Sequence, residues 1–251
     1  MAEYPITMTA KSVRDTMEPD TSIQKTQTRR VITIKGIKEI GKCKECGHMK
    51  TGKARFPLPE DVDLSEIFGP PIVVRGKAQF IFLGDKGTYT VRCPYGDIGD
   101  RLWVKETFAF EDGYNHYPPS MVPEGTPVFY RANTDEDWKR QSNGKLIGRW
   151  RPPMFMPRWA SRLELETVNI DVQRIQDITE EQAKAEGVKH RGHIDKVMHS
   201  DEPQGAYTYV FHYKILWDII NAKRGYPWEL NNWVWVITYM MVSRKLEPEE
   251  K

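Results

Sequence analysis

The chain has 251 residues, and its 37 Lys+Arg against 35 Asp+Glu leave a formal net charge of +2. Hydrophobic residues make up 39%, and eight Trp, eleven Tyr and nine Phe supply large buriable surfaces, which excludes wholesale disorder. No apolar run approaches the roughly 20 residues of a membrane span. The near balance of charge excludes a histone-like coat for nucleic acid but leaves room for a local basic groove. The opening MAEYPITMTAK has no basic segment followed by an apolar stretch, so it does not read as a secretory signal. Three cysteines are too few, and an odd number, for a disulfide framework, so the expected setting is the reducing cytoplasm.

In chain order, TAKSVRDTM is the first predicted element: Val13 and Met17 lie four apart as on a helix face, Thr9 is the expected N-cap and Pro19 closes it. Thr26, Thr28 and Arg30 then alternate with Gln27, Arg29 and Val31, and Ile32-Thr33-Ile34 continues a strand with a polar start. Residues 35–75 are rich in Lys, Gly and Pro and read as an insert with little core. AQFIFLG and TYTVRC, on either side of Asp85-Lys86-Gly87, predict a β-hairpin from Lys77 to Cys93. Leu102-Trp103-Val104 is a short strand, and residues 111–148 are loop inserts containing a proline-rich stretch.

The alternation in LELETVNI predicts a strand over Leu163–Ile170. Thr179 and Gln182 have capping-box spacing at the start of a short helix that Gly187 closes. After a loop insert over 189–206, a longer helix is expected over about 207–223, with Phe211, Ile215, Leu216, Ile219 and Ile220 on one face. WVWVITYMMV, from Trp233 to Val242, reads as a strand buried on both faces. More strands than helices, separated by irregular inserts, point to an α+β fold built on a small mixed or closed sheet.

Cys43-Lys44-Glu45-Cys46-Gly47-His48 has the spacing of half a zinc site. His48 and Cys93 would complete a Cys₃His set, with His190 and His193 as alternative donors, and the expected role is structural, stapling an insert poor in apolar residues. Arg149-Trp150-Arg151, Arg158-Trp159 and Arg162 interleave cations with aromatics, as nucleic-acid grooves do. The tryptophans themselves read as core anchors. Arg158, Arg162, Lys105 and Glu106 are the groove candidates. The sequence shows no glycine-rich phosphate loop, HExxH or GxSxG.

Several strings resemble a known family when taken together: Lys25-Thr26-Gln27-Thr28-Arg29-Arg30, Gly99-Asp100-Arg101-Leu102-Trp103-Val104-Lys105-Glu106, Met156-Pro157-Arg158-Trp159-Ala160-Ser161-Arg162, Asp177-Ile178-Thr179-Glu180 with Ala185-Glu186-Gly187-Val188, and Trp217-Asp218 with Trp233-Val234-Trp235-Val236. In that order they resemble the ASCH-domain proteins of phages and prophages, over most of the chain apart from roughly 35–75, 111–127 and 189–206. The resemblance implies one elaborated domain over 1–251, a PUA-like mixed β-barrel with a few packed helices, and an RNA or modified-nucleoside partner. It also implies similarity to the small ASCH amidohydrolases that deacetylate N(4)-acetylcytidine, whose lysine, threonine and glutamate fall on Lys25, Thr28 and Glu186. Positions matching Gln27 and Arg29 are apolar in those enzymes, so a more polar and positive pocket is expected here, with Arg29 and Arg30 contacting substrate.

Three functions follow as expectations: amide hydrolysis, RNA or nucleotide binding by the same groove without chemistry, and a phage assembly or host-factor adaptor contacting a protein partner through its inserts. The first carries a geometric condition. Positions three apart on a regular strand face opposite sides, so Lys25 and Thr28 can cooperate only if Lys25 precedes the strand. Glu186, at the end of its short helix, is expected to donate a proton to the leaving amine.

Overall fold

The computed structural model describes residues 2–21, 24–32, 92–133, 146–188 and 208–243 with their side chains, and the backbone alone of residue 244 and of strand segments between 37 and 91. Its strands are β1 (Glu3–Thr7), β2 (Gln27–Val31), β3 (Ile37–Lys42), β4 (Met49–Thr51), β5 (Glu66–Ile67), β6 (Ile72–Val73) and β7 (Ala78–Gly84). They continue with β8 (Gly87–Arg92), β9 (Arg101–Lys105), β10 (Phe108–Ala109), β11 (Phe129–Tyr130), β12 (Leu163–Arg174) and β13 (Trp233–Arg244). The α-helices among the described residues are α1 (Ala10–Thr16), α2 (Glu180–Ala185) and α3 (Tyr209–Asn221). None of them is long and apolar enough to cross a membrane. The fold is α+β.

The main sheet runs β1-β9-β12-β13-β2, with β1 parallel to β9 and the other pairs antiparallel. Ladder hydrogen bonds among the described strands do not close it into a barrel; β1 and β2 are its two edges. β1, which the sequence pattern did not announce, carries Pro5, a residue tolerated at an edge because it cannot donate to a ladder. The edges nevertheless meet through a side chain: the Arg30 guanidinium donates to the Thr7 carbonyl at 2.5 Å.

One face of this sheet forms the main core, with Ile6, Leu102, Val104, Leu165, Trp235 and Ile237. β12 stays on that core by means of a bulge. Leu163, Leu165 and Thr167 are buried, the register shifts between Thr167 and Asn169, and the buried positions become Ile170 and Val172. One extra residue flips the parity of a strand, so odd and even positions face the same side in turn. Val168, at the shift, is exposed.

The opposite face of β13 packs under α2 and α3, where Val234 and Val236 join Ile178, Ala183, Tyr213 and Trp217. The run from Trp233 is therefore buried on both faces over Val234–Ile237. Beyond them in this run only Tyr239 is buried, on the main core; Met240, Met241 and Val242 are exposed, which corrects the expectation of burial throughout. The expected apolar face of α3 is likewise corrected. The helix buries His212, Tyr213, Trp217 and Asn221, while Ile215, Ile219 and Ile220 face outward, Ile219 being 72% exposed. Two faces of this helix carry helical spacing, and the one with the larger aromatic surfaces is inside. Trp217 also satisfies its Nε1–H there, donating to the Tyr226 carbonyl at 2.9 Å.

The expected hairpin is β7-β8, with Gly84 opposite Gly87, and β3–β6, from the segment read as an insert with little core, add to it in a second sheet. The proline-rich stretch holds a small core of its own: Val122 packs in a third cluster with Phe108, Phe110, Tyr130, Met156 and Ala160. Trp159 stacks on Phe110 at 5.8 Å, the packing role expected of it.

Candidate active site

β2 is preceded by a pinned lead-in. The Lys25 N–H donates to the Asp15 carbonyl at 2.8 Å, and the Thr26 N–H donates to the Ala185 carbonyl at 2.9 Å. The segment is thereby tied to the ends of both α1 and α2 before the ladder starts at Gln27. Lys25 thus lies before the strand, which meets the geometric condition: Lys25 and Thr28 line one cavity of about 600 Å³. α2 is fixed by the expected capping box, with Thr179 and Gln182 each bonded to the other's backbone N–H, and Glu186 is its C-cap. Gly187 follows at φ 81°, a left-handed conformation that favours glycine, and an added Cβ there would sit 3.2 Å from the Cβ atoms of both Asp15 and Lys25.

These elements bring a buried charge cluster together. Lys25 Nζ donates to the Glu186 carbonyl at 2.6 Å and to Glu186 Oε2 at 2.8 Å. Arg29 Nη1 donates to Glu186 Oε1 at 3.2 Å. Lys25 and Glu186 side chains are each 5% exposed and that of Arg29 is 0%. Three glutamines complete the guanidinium's surroundings, with Gln27 Oε1, Gln182 Oε1 and Gln173 Oε1 accepting at 2.9, 2.8 and 3.2 Å. The Tyr213 ring lies 5.9 Å from Arg29 Cζ.

Burial pushes the Lys25 ammonium below its ordinary pKa; Glu186 opposes the shift and Arg30 adds to it. Desolvation disfavours the charged amine, so a neutral lysine becomes accessible, as a general base requires. Burial, reinforced by the Glu186 charge, pushes the Tyr213 phenol well above its usual value, which keeps it neutral.

The cavity is also lined by Arg29, Arg30 and Glu186, so five of the candidates named from sequence converge. Lys105, Glu106, Arg158 and Arg162 are not among its lining residues. Glu106 and Arg162 form a buried bidentate pair at 2.9 and 3.1 Å, with Arg162 Cζ 4.0 Å from the Tyr130 ring centroid, and so tie β9 to the start of β12. Arg158 bonds Glu3 and Glu164, and Lys105 donates to the Met154 carbonyl at 2.8 Å; both reach over Trp103. A long stem over an aromatic ring with the charge held by surface partners is a packing arrangement.

Cys93 is buried in the main core, where burial pushes its thiol up to about 12. Cys43, Cys46 and His48 lie outside the described residues, as do His190 and His193. Among the described residues no three His, Cys, Asp or Glu side chains come together as a metal site. Sequence reasoning did not find the contributions of Asp15, Tyr95, Gln182, Tyr213 and Arg224. Gln182 did carry a signal, but its capping spacing accounts for only one of its two jobs. Compared with protein-family models, with curated proteins and with solved structures, the chain matches none.

Proposed function

We propose that the cavity is an amidohydrolase site that removes an acyl group from a modified nucleobase of the N(4)-acetylcytidine type. The observation that carries this reading is the buried Lys25–Glu186–Arg29 cluster, which lines the same cavity as Thr28. The resemblance to ASCH amidohydrolases supplies the substrate class, and with it a PUA-like reading of the main sheet. Neutral Lys25 takes the Thr28 hydroxyl proton, and the oxygen attacks the acyl carbon. The oxyanion develops in the field of Lys25, Arg29 and Arg30. The C–N bond then breaks, and the proton held on Lys25 passes to the leaving amine. Water, deprotonated by Lys25, hydrolyses the acyl-threonine ester, releasing the carboxylic acid and restoring Thr28.

Glu186 takes a different part from the proton donor expected from its helix position. Both of its carboxylate oxygens accept from cations, so it orients Lys25 and balances the ammonium formed in each cycle. The zinc reading keeps Cys43, Cys46 and His48 with Cys93 as the fourth donor, or His190 and His193 in its place; Cys93 itself packs in the main core. Metal analysis of the purified chain tests it.

The test of the main reading is product chromatography with a panel of acylated nucleosides and nucleotides. Wild type should release the free base-amine, and Thr28→Ala and Lys25→Ala should each lose about 10²-fold or more, the usual scale of losing an acid–base or nucleophilic group. No turnover by wild type across the panel refutes hydrolysis. Retained binding in that case would favour the second reading, a nucleotide-binding module.

A further inference from the structure

The charges that line the cavity do not cancel. Lys11 pairs with Asp15 at 2.6 Å, and Lys25 and Arg29 share Glu186. Arg30 and Arg224 remain. Among the described residues neither has a carboxylate within ion-pair distance; Arg30 gives one Nη to the neutral Thr7 carbonyl, and its buried Nε has no acceptor. Both line the cavity together with Tyr95.

Their placement is specific. Arg30 comes from the edge strand β2, and Arg224 from the single 3-10 turn, Ala222–Arg224, that extends α3. Tyr95 comes from the turn after β8, and both arginine charges act on its phenol, opposing the upward push of burial. The Lys25–Glu186 cluster is buried while Arg224 is exposed, so the cavity runs from a reactive floor to a cationic rim.

We propose that Arg30, Arg224 and Tyr95 form a phosphate-binding subsite at the rim of this cavity, so that its ligand is a phosphorylated molecule and not a neutral nucleoside. A carboxylate would offset one guanidinium, whereas a phosphate monoester carries about −1.5 to −2 charge and three acceptor oxygens, enough for two guanidiniums and a phenol. Arginine's planar fork suits such an oxygen set better than a point charge does. A volume of about 600 Å³ accommodates a nucleotide-sized ligand whose base reaches the floor while its phosphate stays at the rim. The inference rests on the same cavity as the hydrolase reading and narrows its substrate from acylated nucleosides to acylated nucleotides, free or within a nucleic-acid strand.

Calorimetric titration of the full chain with cytidine, cytidine 5′-monophosphate and a short oligocytidylate lacking a terminal phosphate tests it. Wild type should bind the monophosphate about tenfold or more tighter than cytidine, the scale of one or two charge-assisted hydrogen bonds. Arg224→Gln, an exposed position whose change should leave folding intact, should bring that ratio close to one, and Arg30→Gln should lower it too. Oligocytidylate binding that matches the monophosphate assigns the phosphate to a nucleic-acid backbone; binding of the monophosphate alone assigns it to a free nucleotide. Equal binding of cytidine and its monophosphate overturns the proposal, as does failure of both phosphate-bearing probes, or a ratio that survives both substitutions in folded protein. None of these probes has an amide to cleave, so a failed turnover assay and a failed subsite are separate results.

Discussion

Glu186→Gln is the substitution that tests the charge cluster most directly. The carboxylate is the one anion between two cations, with Lys25 Nζ at 2.8 Å and Arg29 Nη1 at 3.2 Å, and all three side chains are 5% exposed or less. A glutamine would keep one acceptor oxygen and turn an amide N–H₂ toward the other cation. Removing one partner of a buried ion pair typically costs about 3–5 kcal/mol, because the charge left behind has no compensation. Lys25 can soften that cost by shedding its proton, a route its burial already favours; Arg29 cannot. We therefore expect the lower end, about 3 kcal/mol, out of a total that is typically about 5–15 kcal/mol. At about 2–4 °C per kcal/mol for a chain of this size, the midpoint should fall by roughly 10 °C. Urea unfolding followed by tryptophan fluorescence measures the free-energy loss, and thermal unfolding measures the midpoint. Lys25→Met should cost less, because Glu186 keeps Arg29, and Lys25→Met/Glu186→Gln should be more stable than Glu186→Gln alone. A Glu186→Gln protein within about 1 kcal/mol of wild type would show that the cluster does not bear the charges assigned to it.

Lys25 also sets a pH dependence. Its pKa is lowered on folding, so between the folded value and the unfolded value of about 10.4 the unfolded chain holds more protons and stability rises with pH. The cost of burying the ammonium is fully present below that window and gone above it. The stability of wild type minus that of Lys25→Met should thus climb as pH rises towards about 10.4, and a flat or falling difference in urea titrations would contradict the assignment. Gly187→Ala places a Cβ at φ 81°, 3.2 Å from the Cβ atoms of Asp15 and Lys25. The left-handed backbone alone should cost about 1–2 kcal/mol, and turnover should fall further as Lys25 is displaced; thermal unfolding and the product assay read the two effects. Cys93, with its thiol pushed up to about 12 by burial, should resist iodoacetamide at pH 8 in the native protein and react once urea is added. Peptide mapping that finds native and unfolded rates alike would refute its burial.

Local signals were legible where the chemistry is local. Thr9 accepts from the Ser12 N–H, Thr179 and Gln182 form their box, and β7 and β8 pair as the hairpin pattern implied. The Lys25–Thr28–Arg29–Arg30 string was legible through the family resemblance, its four residues lying within six positions of one strand start. What escaped depends on partners far away in sequence. Glu106 and Arg162, 56 residues apart, each looked like a groove residue alone, and only their mutual contact shows that they neutralise one another in the interior. The bulge at Val168 is invisible because alternation resumes on either side of it with the opposite parity. Either face of α3 could have been the inner one by spacing; docking on β13 decides for Tyr213 and Trp217.

The location of the cavity follows from the chain's path. β1 and β2 are the two edges of the main sheet, α1 is the connection between them, and α1 residues line the cavity together with residues of both edges. Edge strands present backbone groups without ladder partners, a hazard that proteins cover. Here α1 and α3 line the cavity, and Arg30 bridges the two edges on the Thr7 carbonyl. Backbone pairing between β1 and β2 would join the two edges of the sheet and take up space that Lys25, Thr28 and Arg30 line. The Arg30 side chain links the two edges without a ladder, and this makes it both a strut of the fold and part of the proposed rim. Losing Arg30 should therefore loosen the edge as well as weaken phosphate binding, whereas losing Arg224 should do only the latter, which is why Arg224→Gln is the cleaner of the two probes.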